Sequence, residues 1–219
     1  KCSMLRRLAV DEACTKYKSI DNVLYNGDLT EVVCCAQEQE KTTIVLPKQV
    51  KTIGNGAFED CKIENIVLGE KVTTIGERSF ANSHLKQIEL PGKLKSIGAN
   101  AFLGCKKLTT IALPEKITHL KEGLFRGCNK LESVSLPAQM KEIEPLAFKG
   151  CSSLKAINIQ GENCVIRSKA FEDCKLLEQV DLSGIKAAEA ASFYKCSPNM
   201  KLKVAKGSEV DEKKIRGNE

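Results

Sequence analysis

Cysteine is the most reactive residue type that this sequence uses often. The 219 residues contain 11 cysteines and two histidines, which in other proteins form disulfides, bind metals or act as nucleophiles. Six of the cysteines share one position, three residues after a phenylalanine: Cys61, Cys105, Cys128, Cys151, Cys174 and Cys196. Regular recurrence indicates a structural repeat position, so we expect these six to be small buried core residues.

The spacing of the cysteines argues against disulfides and metal sites. Stacked repeats would hold equivalent Cβ atoms about 4.8 Å apart, wider than the roughly 3.8 Å typical of a disulfide. We therefore predict reduced thiols. The sequence has no Cys-x-x-Cys pair and no Cys/His cluster with zinc spacing, and the adjacent Cys34 and Cys35 would point to opposite faces of a strand. We predict no metal and no cofactor.

Other catalytic patterns are equally weak. His84 and His119 occupy non-equivalent positions without a companion serine, cysteine or carboxylate constellation, and we expect both on the surface. Gly54-x-Gly56 begins neither a dinucleotide-binding nor a P-loop motif, because its first glycine recurs as Gly76 and Gly98 in a repeated turn. The sequence predicts that the protein is not an enzyme.

The whole chain is organised by an internal repeat. All seven phenylalanines, at positions 58, 80, 102, 125, 148, 171 and 193, are 22 or 23 residues apart. Each unit reads approximately Leu-x-x-Ile-x-Leu-Pro-x-x-Val-x-x-Ile-Gly-x-x-Ala-Phe-x-x-Cys, most clearly over 85–105. A unit this short cannot bury its own apolar positions, so stacked units must share a core. The repeat predicts a solenoid of some eight coils.

Each coil is predicted to combine a strand with a helical turn. Ile88-Glu89-Leu90 alternates as a short strand does, and 94–97 would turn the chain. The spacing in Ala101-Phe102-x-x-Cys105 favours a single helical turn. The expected fold class is thus α/β, with one parallel sheet on a concave face and short helical turns opposite.

The ends of the chain depart from the repeat. Residues 1–43 are predicted to be a partial first repeat with an inserted β-hairpin, because Asn26-Gly27-Asp28 separates two β-rich runs. Residues 44–204 form the repeat array, whose final strand carries Lys201 and Lys203 on outer positions that would protect the sheet edge. The polar, charged tail 205–219 is expected to be frayed.

The repeat resembles the leucine-rich repeat of BspA-like proteins, a class found in surface proteins of bacteria and some parasitic protists. Residues 53–61 and 90–105 reproduce that pattern almost residue for residue, and the similarity extends from Thr43 to Val204. The resemblance implies a right-handed leucine-rich repeat solenoid outside the cell that serves adhesion or protein binding, often within a longer chain.

Three surfaces are candidates for binding. The first is the predicted concave face, whose outward side chains are Asn65, Val67, Gln87, Glu89, Thr110, Ala112, Ser133, Ser135, Ala156, Asn158, Gln179 and Asp181. The second is a basic ridge of turn lysines: Lys48, Lys71, Lys93 and Lys116. The third is the hairpin with Tyr17 and Tyr25, of which at least one is expected in the core. A merely solvated sheet face and merely solubilising lysines are the alternatives.

The net charge and the hydropathy of the sequence limit the classes of partner that the protein is expected to bind. A net charge of +6 favours acidic partners but lacks the dense basic cluster of a nucleic-acid binder. No apolar run approaches the roughly 18 residues of a membrane span, so any membrane attachment would use an anchor outside this chain. We expect binding to host extracellular-matrix or cell-surface proteins, and to acidic glycans if the ridge is used. The alternatives are an architectural spacer and a glycan-binding solenoid.

Overall fold

Each repeat of the sequence folds into one coil of a β-solenoid. The computed structural model describes residues 5–38, 40–161, 163–205 and 210–217, which form about eight coils. A three-stranded meander precedes the coils and consists of β1 (Tyr17–Ile20), β2 (Val23–Asn26) and β3 (Glu31–Cys35). None of the helices in the described part of the chain is long and apolar enough to span a bilayer.

The coils contribute short strands in alternation, followed by one helix. The strands are β4 (Thr43–Val45), β5 (Thr52–Ile53), β6 (Asn65–Val67), β7 (Thr74–Ile75), β8 (Gln87–Ile88), β9 (Ser96–Ile97), β10 (Thr110–Ala112), β11 (His119–Leu120), β12 (Ser133–Ser135), β13 (Glu142–Ile143), β14 (Ala156–Asn158), β15 (Cys164–Ile166), β16 (Gln179–Leu182), β17 (Ile185–Ala188) and β18 (Lys201–Val204). The helix is α1 (Glu212–Arg216).

Two parallel sheets run along the solenoid, where the sequence predicted one. The even-numbered strands pair in the orders β4-β6-β8, β10-β12 and β14-β16-β18, with Ile66 opposite Ile88. The odd-numbered strands form a second set, β3-β5-β7-β9 and β11-β13-β15-β17. The segment predicted only to turn the chain, 94–97, thus contains β9. Its two residues are too few for alternation to be recognised in the sequence.

The predicted helical turns are wrong, and the fold is almost entirely β and turn. Around each phenylalanine, the residues two before and two after it have positive φ, as Asn100 (56°) and Gly104 (66°) do beside Phe102. An α-helix cannot contain such left-handed residues. Hydrogen bonding explains the geometry: Phe102 and Gly104 donate to carbonyls of the next coil, whereas Leu103 and Cys105 donate three residues back.

The core is a column of stacked side chains. The seven phenylalanine rings are buried and stack with centroids 4.8–5.5 Å apart. Inward residues of the even-numbered strands, such as Ile66 and Ile111, pack against the same cluster. Because every coil adds one residue of each kind, the core continues from coil to coil and no coil could bury its own share alone.

The N-terminal segment is a meander of two consecutive hairpins. The first turn is Asp21-Asn22, where both residues have positive φ (51° and 59°), as a type I′ turn requires. The second, over 27–30, joins β2 to β3, which in turn pairs in parallel with β5. The meander is therefore continuous with the second sheet. Tyr25 lies in the core with 1% of its surface exposed.

The expectation of a frayed tail is wrong for 210–217. Helix α1 begins at Asp211, whose side chain accepts from two backbone amides, and ends at Gly217 in the left-handed region. Its Ile215 is fully buried, and the amides of Ala191 and Phe193 donate to carbonyls of α1. Those amides would otherwise need a further coil, so α1 covers the end of the turn column.

The left-handed turn positions yield a matched pair of substitutions. Gly127 has φ of 74°, and an added Cβ would meet only Gly104 at 3.8 Å or more, so Gly127→Ala adds backbone strain alone. We expect it to lower the free energy of unfolding by about 1–2 kcal/mol. Gly92 lies in a turn with open space around its Cβ position.

The Gly92→Ala variant should therefore be neutral or gain up to about 1 kcal/mol through the unfolded chain. Urea unfolding of both variants checks the pair. Equal effects at the two glycines would contradict the assigned turn geometry.

Candidate functional site

The predicted concave-face residues do lie together on one face. In the three-residue strands β4, β6, β10, β12 and β14 the middle side chain points inward and the outer two point outward, as in β10, where Ile111 is buried between exposed Thr110 and Ala112. Parallel pairing keeps equivalent residues level, so Thr110 lies opposite Ser133 and Ala112 opposite Ser135. This face, called the groove face below, brings together Asn65, Val67, Gln87, Glu89, Thr110, Ala112, Ser133, Ser135, Ala156, Asn158, Gln179 and Asp181.

An open groove of about 780 Å³ runs across β4 to β12 of this face. Its outward lining is mostly hydroxyls and amides, and Glu89 is the only charged residue among the described residues that line it. Val45 and Val67, which are opposite each other and 65% and 54% exposed, add an apolar strip at one end. The sequence prediction omitted β4 because its unit lacks an upstream leucine match. The groove can hold an extended, hydrogen-bonding ligand.

The far end of the groove face is charged. Lys203 of β18 forms a 2.8 Å ion pair with Asp181 of β16, directly across the strands. Hydrogen bonds from Lys203 and from Ser183 lower the pKa of Asp181 to about 2, so this carboxylate is ionised at any physiological pH. Lys203 therefore lies on the last strand of this sheet and also forms an ion pair with the neighbouring strand.

A basic recess adjoins the groove and was not predicted from the sequence. It has a volume of about 520 Å³, and its lining, the edge recess below, consists of Asn65, Lys86, Gln87, Lys107, Thr109 and Lys130. Asn65 and Gln87 also line the groove, so the two spaces are continuous. Lys107 and Lys130 are both two residues after a repeated cysteine, but Lys86 occupies another position, so the sequence shows no regular row of lysines here.

The basic ridge is less regular than the sequence suggested. Lys71, Lys93 and Lys116 occupy the third position of equivalent turns, each next to the residue whose amide closes the turn, whereas Lys48 occupies the second position of its turn. All four are exposed. Glu70 and Glu115 alternate with them on the same turns, so the ridge carries mixed charge.

The two tyrosines do not form a common site. Tyr17 is 46% exposed on the edge strand β1, whereas Tyr25 is buried. Burial is the main cause that raises the pKa of Tyr25 well above its usual value. Tyr25 is therefore removed from the candidate binding residues. Both histidines are exposed, and the Nδ1 of His119 lies 2.9 Å from the hydroxyl of Thr118.

The repeated cysteines are thiols with a hydrogen-bonding role that the sequence analysis did not foresee. The Sγ atoms of Cys105, Cys128, Cys151, Cys174 and Cys196 each donate to the carbonyl of the phenylalanine one coil back, at 3.0–3.2 Å. Burial raises the pKa of the Cys128, Cys151 and Cys174 thiols, and that of Cys164 to about 12. No group of three or more metal-binding side chains occurs within the described ranges.

The repeat region is similar to known proteins over most of its length. A family model described as a BspA type leucine rich repeat region matches six copies, over residues 30–155 and 121–212. The comparison with curated proteins found no match.

Solved structures also resemble the chain. A leucine-rich repeat protein from Bacteroides ovatus is 31% identical with a TM-score of 0.69, over 83% of this chain and 48% of that one. One from Eubacterium ventriosum is 24% identical (TM-score 0.77; 88% and 53% covered), a likeness of fold alone. A leucine rich cell surface protein from Faecalibacterium prausnitzii is 27% identical (TM-score 0.53; 78% and 40%). The chain spans about half the length of the first two structures.

Because of the buried thiols, the free energy of unfolding should fall at alkaline pH. In the unfolded chain a thiol ionises near pH 8.5, while Cys128 and Cys174 keep their protons because burial raises their pKa. The native state then binds more protons, so each such thiol lowers the free energy of unfolding by up to about 1.4 kcal/mol per pH unit above 8.5.

Urea unfolding in reductant at pH values on either side of about 8.5 measures this loss. The Cys128→Ala variant should be less stable at neutral pH yet lose stability less steeply in alkali. A profile that stays flat across this range would contradict the burial of the thiols.

Proposed function

Because the chain belongs to the BspA-type leucine-rich repeat family, we propose that it is a binding module, displayed on a cell surface or secreted, that holds macromolecules of a host or a neighbouring cell against its groove face. The observation that supports this most directly is the open groove over β4 to β12, with outward hydroxyls and amides in strand register. A rigid, solvent-facing array of this kind suits recognition.

The composition of the groove face favours many weak contacts. It lacks tryptophan, tyrosine and arginine, the usual anchors of a concentrated hot spot. Its hydroxyl and amide side chains recur from coil to coil, as Thr43, Asn65, Gln87, Thr110 and Ser133, so a long ligand would repeat similar contacts along the rod. Affinity would then come from the number of contacts.

The position outside the cell is part of the proposal. It is supported by the similarity to a protein described as a leucine rich cell surface protein, at 27% identity, and by the family. Adhesion to extracellular-matrix or cell-surface proteins is the role that these likenesses favour. The groove is the proposed contact surface for both extracellular-matrix and cell-surface proteins.

A matched pair of substitutions tests the groove. Ala112 and Ala138 are both exposed, but Ala112 lies in the groove and Ala138 in a turn beyond it. The variant Ala112→Tyr fills the groove with a residue that strands accept well. We expect it to lower affinity for any matrix protein that the chain binds by about tenfold or more, which is about 1.4 kcal/mol or more.

The control Ala138→Tyr should stay within about twofold of the parent chain, well under 1.4 kcal/mol. The measurement is solution binding to a panel of extracellular-matrix proteins and sulfated glycans, at low and at physiological salt. If no probe binds, the spacer interpretation replaces this one, and if Ala138→Tyr is as harmful as Ala112→Tyr, the contact surface is not the groove.

A further inference from the structure

We infer that the edge recess is a binding site for the anionic groups of an acidic polysaccharide that lies along the groove. This inference rests on the proposed role of the groove face and adds to it the chemical class of the ligand. It also assigns the recognition of acidic ligands to Lys86, Lys107 and Lys130 instead of the basic ridge.

Every residue that lines the edge recess can donate hydrogen bonds, and its three lysines can only donate. Its six residues are three lysines, the two amides Asn65 and Gln87, and the hydroxyl of Thr109. None of the six carries a carboxylate or an apolar side chain. A ligand that offers oxygen acceptors and negative charge would satisfy the three lysines in this space.

A single carboxylate arranges two of the lysines. Glu64 forms ion pairs with Lys86 at 2.8 Å and with Lys107 at 3.0 Å, and Lys107 comes from two coils further along. These two hydrogen bonds are the main causes that lower the pKa of Glu64, so its charge persists across the physiological range. Lys130, one coil beyond Lys107, has no ion-pair partner among the described residues. The cluster has three positive charges against one negative charge.

The charges of Lys107 and Lys62 also act on His84. The pKa of the exposed His84 is lowered by partial desolvation and then by the charges of Lys107 and Lys62, which outweigh the opposing effects of Glu64 and Glu38. The excess of lysines over carboxylates in the cluster favours an anion at the recess before any direct contact forms.

The neighbouring groove distinguishes among classes of polyanion. Nucleic-acid grooves stack bases on aromatic rings, and protein interfaces use aromatic and arginine anchors. Neither type of residue lines the groove or the recess. The groove instead presents Thr43, Gln87, Thr110, Ser133 and Ser135, whose hydroxyl and amide groups match the hydroxyls of a sugar chain. The recess beside the basic ridge, around Lys116, is smaller at about 230 Å³, and Glu70 and Glu115 interrupt the ridge.

The test compares two triple variants of equal charge change. The edge variant is Lys86→Gln, Lys107→Gln and Lys130→Gln, and the ridge variant is Lys71→Gln, Lys93→Gln and Lys116→Gln. The probes are heparin, hyaluronan, neutral dextran and poly-glutamate, titrated in solution at physiological salt. We expect the edge variant to bind heparin about tenfold more weakly, as the loss of three exposed ion contacts predicts, and the ridge variant to stay within about twofold.

Thermal unfolding of every variant checks that the substitutions leave the protein folded. The double variant Lys86→Gln and Lys130→Gln, at two exposed positions, replaces the triple variant if removing Lys107 disturbs the coil. Its control is Lys93→Gln and Lys116→Gln.

Several outcomes would overturn the inference. Equal losses in the edge and ridge variants would mean that only net charge matters, and unchanged heparin binding would remove the site. Poly-glutamate binding as tight as heparin binding would transfer the site to acidic proteins. If the edge variant binds heparin normally while Ala112→Tyr still abolishes matrix binding, the groove function stands and this inference fails. If Ala112→Tyr leaves all binding intact, the proposed function itself fails.

Discussion

The structure depends on register between coils. Successive phenylalanine rings lie 4.8–5.5 Å apart, about the distance between hydrogen-bonded strands, because the same backbone pairing sets both spacings. Coils of 22 and of 23 residues satisfy this condition, since the extra residue lies between the repeated cysteine and the next strand, as in 105–108 compared with 83–85. Every other feature follows: level outward side chains on the groove face, thiols aimed at carbonyls one coil back, and lysines that meet a carboxylate of another coil.

The sequence contained much of this information, but unevenly. Seven equally spaced phenylalanines were enough to predict the solenoid and its inward residues, because burial requires the same residue type in each coil. The turn opposite was mistaken for a helix because Phe102 and Cys105 have helical spacing. Glycine, asparagine or aspartate two residues after six of the phenylalanines, as in Gly104 and Asn82, was the signal for left-handed backbone. Arginine and leucine at the matching position before it, Arg78 and Leu146, obscured the pattern.

The candidate site was likewise only partly predictable from the sequence. Alternation within a strand was enough to identify the outward residues of the groove face, since that property is local. The edge recess could not be found in the same way, because Lys107 meets Glu64 across two coils and Lys130 has no equivalent lysine in the next coil. The sequence predicted that at least one of Tyr17 and Tyr25 lies in the core, and the structure shows that it is Tyr25, on the middle strand of the meander.

Helix α1 has a consequence for the evolution of such chains. Its carbonyls accept from the amides of Ala191 and Phe193, which are the same amides that each earlier coil offers to its successor. A duplicated segment of one coil would therefore find partners on both sides, and α1 would close the lengthened array as it closes this one. Unequal recombination between repeats can thus change the reach of the rod in steps of one coil without redesign of its end.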